Sequence, residues 1–224
     1  MGTVLSIISI IKSLDFFSSL NDKQVNQLAN ISTINSYNKE YILYYENSKI
    51  DSLLFLIDGL AKSYKIDKNK NEIFLFFIQK NSMLSEISTI YDDVLYSYSN
   101  LSFIEESKVL SIDYRLFKNN FLQQNILNLE FMNEIIIRSS KLESLINREF
   151  IFEAVAKVSM MLSSDLEMFN RFKRQDISLI LNIQPATLSR VLNRLKRNAI
   201  IHIEQGKVSI LDKEKLDLIY KELI

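Results

Sequence analysis

Two short amphipathic helical periods, separated by a break of three residues, lie between Lys173 and Arg197. Pro185 stands where the second period begins, and its missing N–H and fixed φ are tolerated in the first turn of a helix. The break, residues 182–184, leaves room only for a tight turn. The pattern therefore predicts a helix-turn-helix, whose second helix can enter the major groove of DNA. The apolar positions of the two periods are Ile177, Ile180, Leu181, Leu188, Val191, Leu192 and Leu195.

Positive charge is concentrated on this segment, although the chain as a whole is neutral. The sequence has 27 Lys and Arg residues and 27 Asp and Glu residues. Between Arg171 and Arg197, seven cations accompany a single anion, Asp176, so the segment carries +6 and the rest of the chain −6. This asymmetry creates the local positive potential that a surface in contact with DNA phosphates needs.

The residues on either side of the helix-turn-helix predict a winged domain. Two β-type runs follow it, from Ile200 to Ile203 and from Val208 to Ile210, with Glu204 to Lys207 as the connecting turn. A hairpin in this place is the wing of a winged helix. We expect a helix from Glu153 to about Phe169 to cover the back of the motif, and a terminal helix from Lys213 to Leu223.

The first half of the chain is rich in short β-type runs. The dipeptide Asp58-Gly59 separates an apolar run, Leu53 to Ile57, from a second run, Leu60 to Ile66. Because Asp-Gly is a preferred two-residue hairpin turn, we expect these two runs to pair as a β-hairpin. The spacing of all the runs predicts a sandwich or barrel of about eight strands. Further runs lie at Glu72 to Ile78, Leu95 to Ile104 and Lys108 to Ile112.

A stretch without Gly or Pro, from Gln124 to about Glu149, predicts a long helix. Its apolar residues recur at spacings of three, four and seven, as in a coiled-coil seam, so we expect the helix to pair with a second copy of the chain. A core helix packed on its own domain is the alternative. Arg138 lies close to the stripe, where it would either set the register or contact the β-rich domain. The predicted seam residues are Leu127, Phe131, Ile135, Leu142 and Leu145.

The order of these elements, a β-rich domain, a long helix and a C-terminal winged helix-turn-helix, resembles the Crp/Fnr superfamily of bacterial transcription regulators. The resemblance extends over essentially the whole chain. It is most specific in the C-terminal domain, since most glycines of the family's β-roll are absent. The segments that carry it are LLFLIDGLAK (Leu53 to Lys62), KRQDI (Lys173 to Ile177), PATLSRVL (Pro185 to Leu192) and Asn198 to Lys207, with the wing Gly206.

This resemblance implies an α+β fold in three parts: an antiparallel β-roll of the cyclic-nucleotide-binding jelly-roll type over residues 1–123, a dimerisation helix over 124–150, and a winged helix-turn-helix over 151–224. It also implies a homodimeric regulator in the cytoplasm, which binds an inverted repeat in double-stranded DNA and contacts RNA polymerase. No apolar run approaches the roughly 18 residues that span a bilayer, so we expect no membrane segment.

The chain departs from the family's known sensor sites. Relatives that bind cyclic AMP use a Gly-Glu pair and an Arg-Ser pair; here Ser85-Glu86 stands at the first position and the second falls near Tyr96-Ser97. A buried phosphate without a cation is costly, so cyclic AMP is not expected in the usual mode. The sequence has no cysteine to hold an iron–sulfur cluster. Its single histidine, His202, lies in the wing, which leaves haem held by tyrosine or a non-protein ligand open.

The second helix of the motif is expected to read DNA bases. Arg190 can donate two hydrogen bonds to guanine, and Ala186 replaces a glutamate common in the family, so its methyl group can pack on a thymine methyl. We therefore expect a half-site with one dominant guanine beside an A·T pair. The base-reading candidates are Gln184, Ala186, Ser189 and Arg190. The resemblance implies phosphate contacts for Arg174, Gln175 and Thr187, and we expect the same of Lys207 at the tip of the wing.

The sequence gives less support to other classes of function. The β-rich domain alone would suit a module that binds a cyclic nucleotide or another small molecule, and winged helices also serve protein contacts alone. No paired carboxylates, nucleophile motif, phosphate loop or metal cluster indicates an enzyme. Cysteine-free relatives include regulators of stress responses, so the resemblance implies a stress signal, with nitrosative stress as one candidate.

Overall fold

The computed structural model describes residues 2–221, and the chain divides into two compact units, Met1–Ser140 and Lys141–Ile224. The first unit begins with helices α1 (Gly2–Ser13) and α2 (Asp22–Ala29), between which lies a short 3-10 turn, Asp15–Phe17. A capping box starts α2: the Asn21 Oδ1 accepts from the Gln24 N–H at 3.0 Å, and the Gln24 Oε1 accepts from the Asn21 N–H at 2.9 Å.

Two four-stranded antiparallel sheets, in the orders β1-β10-β4-β7 and β2-β9-β5-β6, form the body of the first unit. A small pair, β3-β8, completes it. The antiparallel sandwich is confirmed. The strands are β1 (Ser32–Tyr37), β2 (Ile42–Tyr44), β3 (Lys49–Ile50), β4 (Ser52–Asp58), β5 (Leu60–Ile66), β6 (Glu72–Gln79), β7 (Ser82–Met83), β8 (Leu95–Tyr96), β9 (Asn100–Phe103) and β10 (Ser107–Asp113).

The structure contains ten strands in the described part of this unit, where about eight were predicted. The single run expected from Leu95 to Ile104 is divided into β8 and β9, because the hydroxyl groups of Ser97 and Ser99 form hydrogen bonds with neighbouring loop and side-chain groups at this point. The two-residue strands β3 and β7 are too short to leave an alternating pattern in the sequence.

The predicted hairpin at Asp58-Gly59 is wrong. Strand β4 pairs with β10 and β7, whereas β5 pairs with β6 and β9, so this turn carries the chain from one sheet to the other. Asp58 is still a strand residue, and Gly59 has a φ of 99°. A two-residue type I′ hairpin turn would need positive φ at both positions. A side chain at Gly59 would collide with the start of β10, since a Cβ there would lie closest to the Ser107 hydroxyl and 2.8 Å from the Glu106 carbonyl oxygen.

Replacing Gly59 by alanine is expected to lower the free energy of unfolding by about 2–3 kcal/mol, from the strained φ and the collision together. The matched control is Gly206→Ala, because Gly206 also has a positive φ, of 80°, but no atom lies within 4 Å of a Cβ built there. That control should lose about 1 kcal/mol. Urea denaturation of both variants measures the difference, and equal losses would show that crowding at Gly59 contributes nothing.

Helix α3 (Tyr114–Asn120) follows the sandwich, and α4 (Asn128–Ile146) is the long helix. The prediction placed its beginning at Gln124, but Asn125 and Leu127 have φ values of 58° and 65° and break the helical path. A π-helical turn, Asn147–Ile151, follows the end of α4.

The seam prediction needs correction at two positions. Leu127 and Phe131 are 3% and 4% exposed and belong to the core of the first unit, so they cannot face a second chain. Leu145 is half-buried, while Ile135 and Leu142 are 44% and 45% exposed. The exposed apolar stripe of α4 therefore shares Ile135 and Leu142 with the predicted seam and differs from it at the other positions. We define this stripe by the exposed apolar residues that follow a coiled-coil spacing, Met132, Ile135, Leu142 and Ile146; Leu129, Ile136 and Ile137 of α4 are exposed as well.

The second unit has the predicted winged helix-turn-helix order. The helix expected from Glu153 to Phe169 is two helices, because Asp165, with φ −151° and ψ 52°, leaves the helical region. The expected last residues of the terminal helix, 222 and 223, lie outside the described residues. The elements are α5 (Ala154–Ser164), α6 (Leu166–Arg171), α7 (Arg174–Ile180), α8 (Pro185–Arg197), β11 (Ile201–Glu204), β12 (Lys207–Ile210) and α9 (Lys213–Lys221).

Helix α5 packs against both α8 and α9, as expected of the helix behind the motif. Ile177 of α7 and Leu188 and Leu195 of α8 are almost completely buried in the core of this unit. Within residues 2–221, no helix combines the length and the apolar character that crossing a bilayer requires.

Candidate nucleic-acid interface

The turn between α7 and α8 is fixed by its backbone. Asn182 has a φ of 50°, a conformation that asparagine tolerates better than most residues. The Asn182 N–H donates to the Leu179 carbonyl at 3.0 Å, and the Ile183 N–H donates to the Ser178 carbonyl at 3.0 Å. Pro185 occupies the first turn of α8, as predicted. The three-residue break in the sequence is therefore a tight left-handed turn between the two helices.

Helix α8 has one buried and one exposed face. Leu188, Val191, Leu192 and Leu195 are buried. The four candidate base-reading residues, Gln184, Ala186, Ser189 and Arg190, are all exposed. The helix thus presents these side chains together on the side away from its own core.

The Arg190 side chain lies along its own helix. Its Nε–H donates to the Ala186 carbonyl at 3.4 Å. A guanidinium carries five N–H donors, so this weak bond leaves its two terminal nitrogens with the fork geometry that matches a guanine edge. The arrangement also brings the Arg190 side chain beside Ala186, at neighbouring positions on the exposed face.

Arg174 has a structural role that the sequence did not indicate. Its Nη2 donates to the Gly206 carbonyl at 2.6 Å, and its Cζ lies 4.6 Å from the centre of the Phe169 ring. Burial lowers the pKa of the Arg174 guanidinium from its ordinary value. Arg174, predicted to contact a phosphate, therefore joins the beginning of α7 to the turn of the wing. Arg174 and Gly206 are 32 positions apart, so no periodic pattern in the sequence indicates their contact.

The wing is the predicted β-hairpin. Ile201 pairs with Ile210 and Glu204 with Lys207. Gln205 and Gly206 have φ values of 48° and 80°, the pair of positive values that a type I′ turn requires.

A side-chain amide of α6 fixes the wing. Asn170 Nδ2 donates to the Val208 carbonyl at 2.8 Å, and the Val208 N–H donates to Asn170 Oδ1 at 2.8 Å. Of the other phosphate-contacting candidates, Gln175 and Lys207 are exposed and Thr187 is half-buried.

A second polar site lies inside the first unit. Glu86 is 1% exposed, and its carboxylate accepts hydrogen bonds from the Tyr98 N–H, from the Ser99 hydroxyl at 2.7 Å and from the Arg138 guanidinium of α4. Arg138 also lies over the Phe76 ring, at 5.5 Å from its centre. Of the two roles considered for Arg138, the structure therefore shows the contact with the β-rich domain.

The residues at the family's cyclic nucleotide positions do not fit that ligand here. Glu86, which would hold a ribose, is paired with Arg138. The Ser85 hydroxyl donates to the Ser52 carbonyl at 3.2 Å, and the Ser97 hydroxyl donates to the Tyr45 carbonyl at 2.5 Å. These hydroxyls bind the backbone of the sandwich, and no arginine stands at Tyr96-Ser97 to neutralise a phosphate. Burial raises the pKa of the nearby Tyr44 hydroxyl, which donates to the Leu84 carbonyl at 2.7 Å.

Comparison with known proteins matches both halves of the chain. Residues 159–219 match the family model of a Crp-like helix-turn-helix domain, and residues 34–124 match that of a cyclic nucleotide-binding domain. The Anaerobic regulatory protein of Bacillus subtilis (strain 168) is 23% identical over 200 residues, which cover 83% of this chain and 82% of that protein.

Solved structures show the same fold. FixK2 from Bradyrhizobium japonicum is similar over 85% of this chain and 98% of its own, with a TM-score of 0.65 and 16% identity. A CooA mutant from Carboxydothermus hydrogenoformans is similar over 84% of this chain and 88% of its own, with a TM-score of 0.67 and 17% identity.

Proposed function

Because this chain belongs to the Crp/Fnr superfamily of DNA-binding transcription regulators, we propose that it acts as a homodimer that recognises an inverted repeat in promoter DNA. The observation that carries the proposal is the exposed face of α8, with Gln184, Ala186, Ser189 and Arg190 side by side. This face belongs to the segment with a charge of +6, so phosphates attract it while the four side chains reach the base edges.

The exposed stripe of α4 supports the homodimer. Met132, Ile135, Leu142 and Ile146 are 55%, 44%, 45% and 54% exposed. Their spacings of three, seven and four are those of the a and d positions of a coiled coil. A second copy of the same stripe would cover these side chains. Two winged domains in a symmetric dimer would then present their α8 helices about 34 Å apart, one helical turn of DNA.

Arg190→Ala is expected to weaken binding to the specific site by about 1–3 kcal/mol and to relax the preference at one guanine of each half-site. Fluorescence anisotropy measures this on a duplex selected by the protein from a random pool and on a scrambled duplex. The matched control is Arg197→Ala, an exposed cation at the end of α8. It should change the affinity for both duplexes equally, since the charge of a solvated helix end acts on DNA phosphates without reading sequence. A wild-type protein that binds neither duplex at low salt contradicts the function itself.

A small-molecule module remains the second candidate, favoured by the match of residues 34–124 to a cyclic nucleotide-binding domain. The pairing of Glu86 with Arg138 argues against a cyclic nucleotide. We therefore expect cyclic AMP and cyclic GMP at millimolar concentration to leave the thermal unfolding midpoint unchanged. A ligand that binds only the folded state would raise it, so a clear rise with either nucleotide would favour the second candidate.

We propose that the regulator works in the cytoplasm, contacts RNA polymerase at its promoters and responds to a stress signal. Nitrosative stress is one candidate signal. Oxygen limitation is another, suggested by the name of the Bacillus relative, Anaerobic regulatory protein. A reporter gene under the selected site, grown with and without oxygen and with a nitric oxide donor, distinguishes the two. A reporter that responds to neither would contradict both.

A further inference from the structure

The Glu149 carboxylate contacts the turn between α7 and α8 of the helix-turn-helix. Glu149 lies in the π-helical turn that follows α4, and its side chain is 18% exposed. Its Oε2 accepts a hydrogen bond from the Asn182 Nδ2 at 3.2 Å. Asn182 is the left-handed residue between α7 and α8, so the contact reaches the residue where the chain changes direction into the recognition helix.

Two cations hold this carboxylate in place. The Arg148 Nε donates to the Glu149 Oε1 at 2.8 Å, and the Lys157 Nζ of α5 lies 3.6 Å from the Oε2. Both cationic side chains are largely buried, at 11% and 9% exposed. Burial by itself opposes the charge of Glu149, but the hydrogen bonds from Arg148 and Asn182 outweigh it and lower the pKa of the carboxyl. The carboxylate is therefore charged and oriented at neutral pH.

We propose that Glu149 is a positioning residue for DNA recognition, whose carboxylate fixes the Asn182 turn and with it the direction of α8 relative to the end of α4. The inference rests on the proposed DNA-binding function and adds a residue that does not touch DNA. Three features carry it. The contact joins the π-helical turn after α4 to the turn between α7 and α8. Its acceptor, Glu149, is held by two largely buried cations, and its donor, Asn182, is the left-handed residue of that second turn.

Because Glu149 is an anion, its removal changes DNA affinity in opposite directions through charge and through lost positioning. Removing an anion from a DNA-binding unit should strengthen binding to every duplex, because the protein's field becomes more positive. A loss of positioning weakens binding only where α8 must fit base edges. We therefore expect Glu149→Ala to weaken binding to the selected duplex about tenfold, the loss of one hydrogen bond to a charged group. The same variant should bind the scrambled duplex as tightly as the wild type or more tightly.

Matched variants separate positioning from folding. Glu214→Ala removes an exposed glutamate on α9, with the same change of charge, and should not weaken the selected duplex. Asn182→Gly removes only the amide and keeps a residue that accepts positive φ, so it should reproduce the effect of Glu149→Ala even if that variant is less stable. Thermal unfolding of each variant reports whether the fold is intact.

A rescue tests the contact directly. Asn182→Asp places two carboxylates against each other and should weaken the selected duplex. The double variant Glu149→Gln with Asn182→Asp exchanges donor and acceptor at the wild-type net charge, and should recover binding to within about twofold. Folded single variants that bind the selected duplex like the wild type, or a double variant without recovery, would overturn the positioning role. If the wild type binds no duplex, the DNA-binding function fails instead.

Discussion

Replacing Arg138 by methionine is expected to lower the free energy of unfolding by about 3–5 kcal/mol, because it leaves a buried carboxylate without its cation. Glu86 is 1% exposed, and the only charged group paired with it among the described ion pairs is Arg138. Methionine keeps most of the aliphatic volume that packs near Phe76, so the loss measures the charge and its hydrogen bond. Urea denaturation followed by circular dichroism gives the value.

The control is the pair of substitutions that removes both charges. In Glu86→Gln with Arg138→Met, the amide oxygen can still accept from the Tyr98 N–H, the amide nitrogen can donate to the Ser99 hydroxyl, and no buried charge remains. We expect this double variant to recover most of the stability, since replacing both partners of a buried pair is often nearly neutral. A single variant that loses less than about 1 kcal/mol, or a double variant as unstable as the single one, would show that the pair contributes little.

The same pair bears on how the first unit could receive a signal. In this chain the Arg138 guanidinium of α4 is paired with the Glu86 carboxylate of the β-rich domain. Because α4 also carries the exposed stripe with Ile135, the β-rich domain holds a direct polar contact with the helix proposed to form the dimer. Any effector that competes for either partner would act on that helix.

Local features of the sequence predicted the DNA-binding domain well. The break before Pro185, the apolar period of α8 and the glycine of the wing each act within a few residues. Capping, turn formation and amphipathic burial depend on neighbours along the chain, so a single sequence contains them. The order of such elements carried the family resemblance, and that resemblance implied the fold class.

The wrong predictions concern features that are determined by residues far apart in the sequence. Asp58-Gly59 has the composition of a hairpin turn, but β4 pairs with β10, about fifty residues away, and Gly59 is crowded by Glu106 and Ser107. The period of α4 contained apolar residues on two faces. Only the packing of Phe131 into the core of the first unit decides which face stays exposed.

Long-range polar contacts were equally invisible in the sequence. Arg174 was expected on DNA because its position contacts phosphate in the family that the chain resembles, and the wing carbonyl that it binds comes 32 residues later. The contact of Glu149 with Asn182 spans 33 residues. In the sequence, Arg174 is explained as a cation at a helix end and Asn182 as a turn residue. Only the three-dimensional structure shows the partner of each.

Leu142→Glu is expected to weaken the proposed homodimer by about 3–5 kcal/mol, because each protomer would place an unpaired carboxylate in the seam, opposite its symmetric copy. The variant should fold normally, since Leu142 is 45% exposed in the single chain. Loss of the dimer also removes simultaneous binding to two half-sites, so affinity for the inverted repeat should fall about 10²–10⁴-fold. Sedimentation velocity and anisotropy on the same samples measure the two effects together.

Ser144→Glu is the matched control for this substitution. It adds the same charge to the same helix at another exposed position, and residues two apart on a helix do not share a face. It should leave both the dimer and its DNA affinity close to those of the wild type. If Leu142→Glu remains dimeric at micromolar concentration, the interface does not lie on the exposed stripe of α4. If Ser144→Glu dissociates equally, the added charge rather than the seam explains the loss.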